Sequence, residues 1–337
     1  MALAAGVSLA TVSRIANGSA RVSPEIQQRV REAAARLGVD LHRQSKARVI
    51  AFLLCNRDVL HPFHSRVLVG AEGYLAARDY SMLFMSVRYS PNVPWNEIYL
   101  PPVLQRRDVV RALIVAGANS QNFVDLLDHR AIPFVVSGNN FFGPWNAELH
   151  DAVYFDDIAG GYEATRYLLS LGHREIWFVG NSRLPWFARR MEGYCRAMEE
   201  ATLSPLQAGI DSGNEQEVGY LATKSILARN KPLTAILTGS DSAAEGTCRA
   251  LRDAGLNIPN DISVVGFNDI EAALLHPPLT TVRVFPEQVG QHLAELLLNR
   301  LKQPDLPPQH FMIPTQLIKR ESCVARAVAG KEASGGP

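Results

Sequence analysis

Ala5-Gly6-Val7-Ser8-Leu9-Ala10-Thr11-Val12-Ser13-Arg14-Ile15-Ala16-Asn17-Gly18, followed by Arg21-Val22-Ser23-Pro24-Glu25, reads as two short helices around a tight turn with a third to follow. Met1 to Ala5 is a helical stub. Gly6 permits the positive φ at which a helix ends, and Ser8 is placed to N-cap a helix over Leu9 to Asn17. Ser23 is placed to cap the third helix, Pro24 suits its first position and Glu25 sits at the positive end of its dipole. Ile26, Val30, Ala33 and Leu37 then recur at helical spacing, and Gly38 closes the helix. Val7, Val12 and Ile15 read as core. Residues 1–13 carry no charge, but no Lys or Arg precedes the apolar stretch and Ser8, Thr11 and Ser13 interrupt it, which argues against a secretory signal.

Charge separates this head from the rest. Residues 1–48 hold eight Lys and Arg against three acids, a net +5, whereas the remainder holds 26 basic and 30 acidic side chains, a net −4. A small basic head on a mildly acidic body points to a polyanion met by the head alone; a solvated helical face is the plainer alternative. The 337 residues are 47% hydrophobic and 20% charged, which is globular composition with room for about two domains. The longest apolar runs, such as Val49 to Cys55, are far short of the roughly twenty residues of a membrane span. Cys55, Cys195, Cys248 and Cys323 form no CxxC and read as small buried thiols of a reducing cytosol.

From Arg48 onward short apolar runs alternate with helical stretches. The strands expected are Val49–Cys55, Met82–Val87, Ala112–Ala116, Pro133–Ser137, Ile176–Val179, Ala235–Leu237 and Ile262–Gly266. Helices are expected over Ser65–Arg78, Asp157–Leu171, Phe187–Ala201, Glu215–Arg229, Asp241–Ala254 and Pro286–Leu301. This alternation means βαβ units and parallel sheets. The fold class is therefore α/β: an all-α head and two doubly wound lobes, with ligand expected in the cleft between lobes, beyond the carboxyl ends of strands.

The head quoted above resembles the helix-turn-helix of the lactose-repressor (LacI/GalR) transcription regulators, whose pattern is AGVSxxTVSRxLNG followed by VSPE. The body continues the resemblance at His61-Pro62-Phe63, Phe155-Asp156-Asp157, Leu171-Gly172-His173, Arg190-Met191-Glu192-Gly193-Tyr194, Ile258-Pro259-Asn260-Asp261-Ile262-Ser263, Pro278-Leu279-Thr280-Thr281 and Arg320-Glu321-Ser322. It implies a two-lobed body of the type I periplasmic-binding-protein kind. The domains expected are a head over 1–38 with an apparently truncated first helix, a short linker over 39–48, a body over 49–328 and a disordered tail over 329–337. Within the body the N-terminal lobe takes 49–151 plus 283–308, and the C-terminal lobe 152–282 plus 309–328. The linker lacks the Ala/Leu-rich hinge helix of the family, although Leu41 could wedge into a minor groove, so DNA kinking is not implied.

By this resemblance the second helix lies in the major groove. Leu9 and Ala10 fall on the base-reading pair and offer apolar contact to a thymine methyl. Arg14 can fork onto guanine, while Ser8, Thr11, Ser13 and Asn17 contact phosphates. In the cleft, Phe63 and His64 follow the first strand; the Phe63 ring is either a stacking face for a sugar or core. Arg190 aligns with an effector-contacting arginine of the family, and Trp186 is a stacking wall. Asn139 and Ser240-Asp241 offer hydrogen bonds at strand ends. Asp156 is a pocket candidate for which helix capping is the alternative. Asn268 stands where the family has Asp, with the acid moved to Asp269, which favours a neutral ligand over a cation. Asn214 replaces an aromatic and argues against a nucleobase. His61-x-x-His64 has metal-like spacing, but Pro62 is expected to break the helix aligning the pair, and no third ligand is evident.

The function implied is a cytoplasmic, homodimeric regulator of transcription that binds double-stranded operator DNA, as a repressor, under control of a small effector, a sugar or polyol. No cofactor, metal or membrane partner is expected. A sugar sensor without operator binding is the alternative. An enzyme is a weaker one, since GxSxG, P-loop, GxGxxG and HExxH motifs are absent.

Overall fold

A computed structural model describes residues 2–16, 22–37, 48–58 and 61–326. Asn17, the linker to residue 47 with Leu41, and the tail 329–337 lie outside the described residues, as do the side chains of Ala10, Ser13 and Arg14.

The head holds helices α1 (Ala2–Ala5), α2 (Leu9–Ala16) and α3 (Pro24–Arg36). Gly6 takes φ +62° between the first two, the backbone form that favours glycine. Ser8 Oγ accepts from the Thr11 amide at 3.1 Å, the expected N-cap. Ser23 occupies the N-cap of α3, but its side chain makes no capping bond; instead the Gln27 amide side chain reaches back to the Val22 carbonyl at 2.9 Å. Ala5, Val30 and Ala33 are buried, with Val7, Val12 and Ile15 packed against them as expected. Arg29 on α3 donates to the Ala5 carbonyl at 2.7 Å and ties the first helix to the third.

The body begins with β1 (Val49–Cys55), α4 (Pro62–Ala76), β2 (Ser81–Val87), β3 (Val110–Gly117), β4 (Asn119–Ser120), α5 (Gln121–His129), β5 (Phe134–Ser137), β6 (Phe141–Phe142) and β7 (Ala152–Phe155). It continues through α6 (Asp157–Ser170), β8 (Ile176–Val179), α7 (Pro185–Glu200), β9 (Leu206–Ala208), α8 (Glu215–Ala228), β10 (Ala235–Thr238), α9 (Asp241–Asp253), β11 (Ser263–Asn268) and β12 (Thr280–Arg283). It ends with α10 (Pro286–Lys302), β13 (His310–Ile313) and β14 (Gln316–Ile318). One sheet runs β13-β7-β5-β3-β1-β2 and the other β14-β12-β11-β10-β8-β9. Every pairing is parallel except β12 with β14. Strands β5, β8, β10 and β11 are buried at every position, the signature of parallel strands covered on both faces.

This topology moves the expected lobe boundaries. β7 and β13 pair with each other in the N-terminal sheet, so residues 152–155 and 310–313 belong to that lobe and not to the C-terminal one. The chain crosses between lobes after Phe155, after Arg283 and after Ile313. Pro62 also reverses its expected role. It starts α4 at the first helical position, and His61 is the N-cap, its Nδ1 accepting from the Phe63 amide at 3.3 Å. All four cysteines are free; Cys55 and Cys248 are buried as expected, while Cys195 and Cys323 are only half-buried. No helix among the described residues is long and apolar enough to cross a membrane, and none of their His, Cys, Asp and Glu side chains form a metal-binding group of three.

Helices α6 and α7 touch backbone to backbone. A Cβ on Gly161 would sit 2.2 Å from the Arg190 carbonyl oxygen, and one on Gly193 2.0 Å from that of Ile158. Only glycine allows this approach. It brings the first turn of α6 against α7 at the base of the cleft.

Candidate functional site

The cleft lies where both sheets present their carboxyl-terminal strand ends. The loop after β1 and the first turn of α4 supply Arg57, His61, Phe63 and His64, and Asn140 follows β5. From the other lobe come Trp186 and Arg190 on α7, Glu215 at the start of α8 and Asn268 at the end of β11. Phe155 closes the floor at a crossover. These residues leave a narrow space of about 20 Å³, which opens past Arg57, His61 and Glu215 into an outer space of about 460 Å³ bordered by Arg88 and Asn214.

Arg190 is buried and fully engaged. Its Nε donates to Asp157 Oδ1 at 2.8 Å, Nη2 to Asn268 Oδ1 at 3.1 Å, and Nη1 to the Gly239 carbonyl. Its guanidinium lies 4.0 Å above the Phe267 ring. Asp157 has no exposure at all and also meets Arg189 at 3.6 Å. Two charges taken from water need such compensation on every side.

A second set spans the gap. Arg57 Nη2 meets Glu215 Oε1 at 3.3 Å, its Nε donates to His64 Nε2 at 3.3 Å, and its guanidinium carbon lies 4.3 Å from the Trp186 ring centroid. Burial, reinforced by Arg57 and His61, holds His64 well below the usual histidine range, so the ring is neutral and can accept this bond. Burial opposes the charge of Glu215, but Arg57, His61, the Ser240 hydroxyl and Arg190 outweigh it and keep the carboxyl below its ordinary value. Trp186 Nε1 and Asn140 Oδ1 line the same space buried, without a hydrogen-bond partner among the described residues.

The structure brings together five of the expected cleft residues, Phe63, His64, Trp186, Arg190 and Asn268. Phe63 is both wall and core, packed 5.5 Å from Phe155. Others are redirected. Asn139 faces away: its Nδ2 donates to the Phe155 carbonyl at 2.7 Å and to Asp157 Oδ2 at 2.8 Å, and its Oδ1 accepts from the Phe155 amide, so it clamps the crossover. Asp156 caps α6 through the Ala159 amide at 2.9 Å and leaves the cleft. Ser240 caps α9 through the Ala243 amide and also hydrogen-bonds Glu215 of the cleft. Asp269 is held by Arg283 and Arg320, each at 2.7 Å, behind the cleft wall. Asn268 and Asp269 take φ 113° and 56°, and this pair of left-handed residues sends one side chain inward and the next outward. With its oxygen given to Arg190, Asn268 does not decide between neutral and cationic ligands. Asn214 caps α8 through the Gln216 and Glu217 amides and reaches only the outer space.

Asp241 borders a small side chamber of about 40 Å³ with His61 and Asn268. Burial pushes its carboxyl up to about 7, although the Thr281 hydroxyl at 2.6 Å and the Ile270 amide at 3.0 Å donate to it. Arg57, Asn140 and Glu215 were not expected in the site. Only the strand-end position of Arg57, and the helix start at Glu215, mark them in the sequence.

In the head, α2 turns Val12 and Ile15 inward and presents Leu9, 82% exposed, on the outside. The hydroxyls of Ser8 and Thr11 are exposed and 2.9 Å apart. This is an apolar contact flanked by small polar groups, suited to a groove floor and its phosphates.

Comparison with known proteins follows the same division. Residues 1–38 match the model for bacterial regulatory proteins of the lacI family, and residues 165–323 the periplasmic binding protein-like domain. The chain is 31% identical to the HTH-type transcriptional repressor PurR of Vibrio cholerae serotype O1 over 94% of this chain and 95% of that protein. It is similar to a transcriptional regulator CelR–cellobiose complex, with 27% identity, a TM-score of 0.72 and coverage of 95% and 98%. A LacI family transcriptional regulator from Enterococcus faecium with bound ribose is 26% identical, with a TM-score of 0.68 and coverage of 83% and 100%.

Proposed function

Because the chain belongs to the lacI family of bacterial regulatory proteins, we propose that α2 reads operator DNA while the interlobe cleft holds the small molecule that controls this reading. The protein is a DNA-binding transcriptional repressor with a ligand-binding body. It works in the cytoplasm by binding, without turnover of its ligand, and as a homodimer whose two heads meet two half-sites. Arg14 supplies the guanine contact, Leu9 and Ala10 the apolar contacts, and Ser8, Thr11, Ser13 and Asn17 the phosphate contacts.

The observation that carries the cleft assignment is the set of buried polar groups contributed by both lobes to one space, including Trp186 Nε1 and Asn140 Oδ1 without partners. A hydroxyl donates and accepts, so a polyhydroxylated molecule of the sugar or polyol class meets both. Two similar regulators hold cellobiose and ribose. The effector acts through its preference for one lobe arrangement over another.

Selection of the 337-residue chain against a random duplex library, at about 50 and about 200 mM salt, tests the whole reading. A recovered two-half-site sequence, bound more weakly at the higher salt and responsive to one member of a sugar and polyol panel, supports it. A folded dimer that recovers no sequence at either salt would leave a sensor without an operator.

A further inference from the structure

Arg57 carries an inference that rests on the cleft being the effector site. Its guanidinium is stacked on Trp186, bonded to His64 and ion-paired with Glu215. His64 belongs to the N-terminal lobe, and Trp186 and Glu215 to the other. One side chain therefore spans the gap and consumes the aromatic wall, the neutral imidazole acceptor and the buried carboxylate that the cleft offers.

We propose that Arg57 is a built-in occupant of the cleft, and that the effector displaces it by bringing a flat or compact cationic nitrogen group, on a polyhydroxylated frame, to Trp186, His64 and Glu215. The cation follows from Glu215. Its carboxylate is 8% exposed, and Arg57 is its ion-pair partner. If Arg57 left without a replacement, this buried charge would lose its ion-pair partner and keep only the Ser240 hydroxyl and the more distant Arg190 charge, a costly arrangement. A ligand ammonium, amidinium or guanidinium takes the place of the lost guanidinium charge for charge, and the Trp186 face favours it. The hydroxyls follow from Trp186 Nε1 and Asn140 Oδ1, one needing an acceptor and the other a donor. Arg57 lies between β1 and α4, outside both, so its withdrawal breaks no strand ladder and no helix. With the occupant gone, the ligand inherits the bridge between lobes.

Methylguanidinium is the probe. Calorimetric titration into the full chain at fixed ionic strength should show saturable one-to-one binding to Arg57→Ala, at least tenfold tighter than to the unaltered protein. Adding Glu215→Gln to Arg57→Ala should abolish it. Arg57→Lys, which keeps the charge but not the flat face, should bind the probe with intermediate affinity and covers the case in which the alanine variant does not fold. Equal, unsaturable heats for the unaltered protein and both Arg57 variants would overturn the proposal, as would undiminished binding after Glu215→Gln. Operator affinity, read in parallel, separates the two ideas. If the probe binds Arg57→Ala but leaves operator binding unmoved, the occupant stands and the effector reading of the cleft falls. If no probe binds while a cleft ligand still shifts operator binding, the reverse holds.

Discussion

Asp157 and Arg190 form a wholly buried ion pair, Oδ1 to Nε at 2.8 Å, across the contact of α6 with α7. Asn139, from the opposite lobe, donates to the other oxygen of the same carboxylate. The arginine expected to touch the effector is thus also a structural member of the cleft base.

Arg190→Ala should therefore cost stability as well as ligand response. Breaking a buried pair by removing one partner costs about 3–5 kcal/mol. Thermal and denaturant unfolding should show this loss, and Arg190→Ala with Asp157→Asn should recover part of it. An unfolding midpoint equal to that of the unaltered protein would show that Asp157 finds other compensation.

Asp241 predicts a pH dependence. Its carboxyl is raised by burial from 3.8 to about 7 in the folded chain. The folded state then holds the proton that the unfolded state releases. This contribution to stability is complete below about pH 4 and is lost as pH rises through about 7. Asp241→Asn, which stays neutral, should flatten the urea midpoint against pH across that window. A slope unchanged by the substitution would count against the assignment.

Arg14→Ala tests base reading. A guanine contact predicts a loss of about 1–3 kcal/mol confined to one base pair of each half-site, with relaxed preference there. Binding to variant duplexes distinguishes this from a uniform loss with a shallower salt slope, which would make Arg14 a phosphate contact.

Leu9 separates folding from recognition because it is 82% exposed. Leu9→Gln should leave the unfolding free energy within about 0.5 kcal/mol of the original. It should also move the preferred base from thymine toward adenine, with which an amide forms paired hydrogen bonds. A selected site identical for both proteins would remove Leu9 from the reading surface.

The head and the main strands were legible because their signals are local. Ser8 needs only Thr11, and Val49–Cys55 is a strand by its own unbroken apolar run. β7 and β13 were missed or misplaced because four residues carry little pattern, and in β13, at the sheet edge, Phe311 and Met312 remain about half exposed. In the cleft, Trp186 and Arg190 could be read from α7, whereas Arg57 and Glu215 are 158 residues apart and acquire meaning only when the lobes meet. Adjacent residues were the hardest to separate. Asn139 turns to the backbone of Phe155 while Asn140 lines the cleft, and Asn268 faces in while Asp269 faces out. Backbone dihedrals, not residue type, make those choices.

The Asn139 clamp sits beside the first of the three strand crossovers, and this makes the base of the cleft a fulcrum. Points at a fulcrum scarcely travel when the arms turn, whereas points at the tips sweep the largest arc. The knot of Asn139, Asp157 and Arg190 can thus stay intact through opening, while the contact of Arg57 with Glu215 parts at the smallest rotation. Arg57 meets the opposite lobe at both Glu215 and the Trp186 ring, so the leverage of the two lobes is concentrated on one side chain.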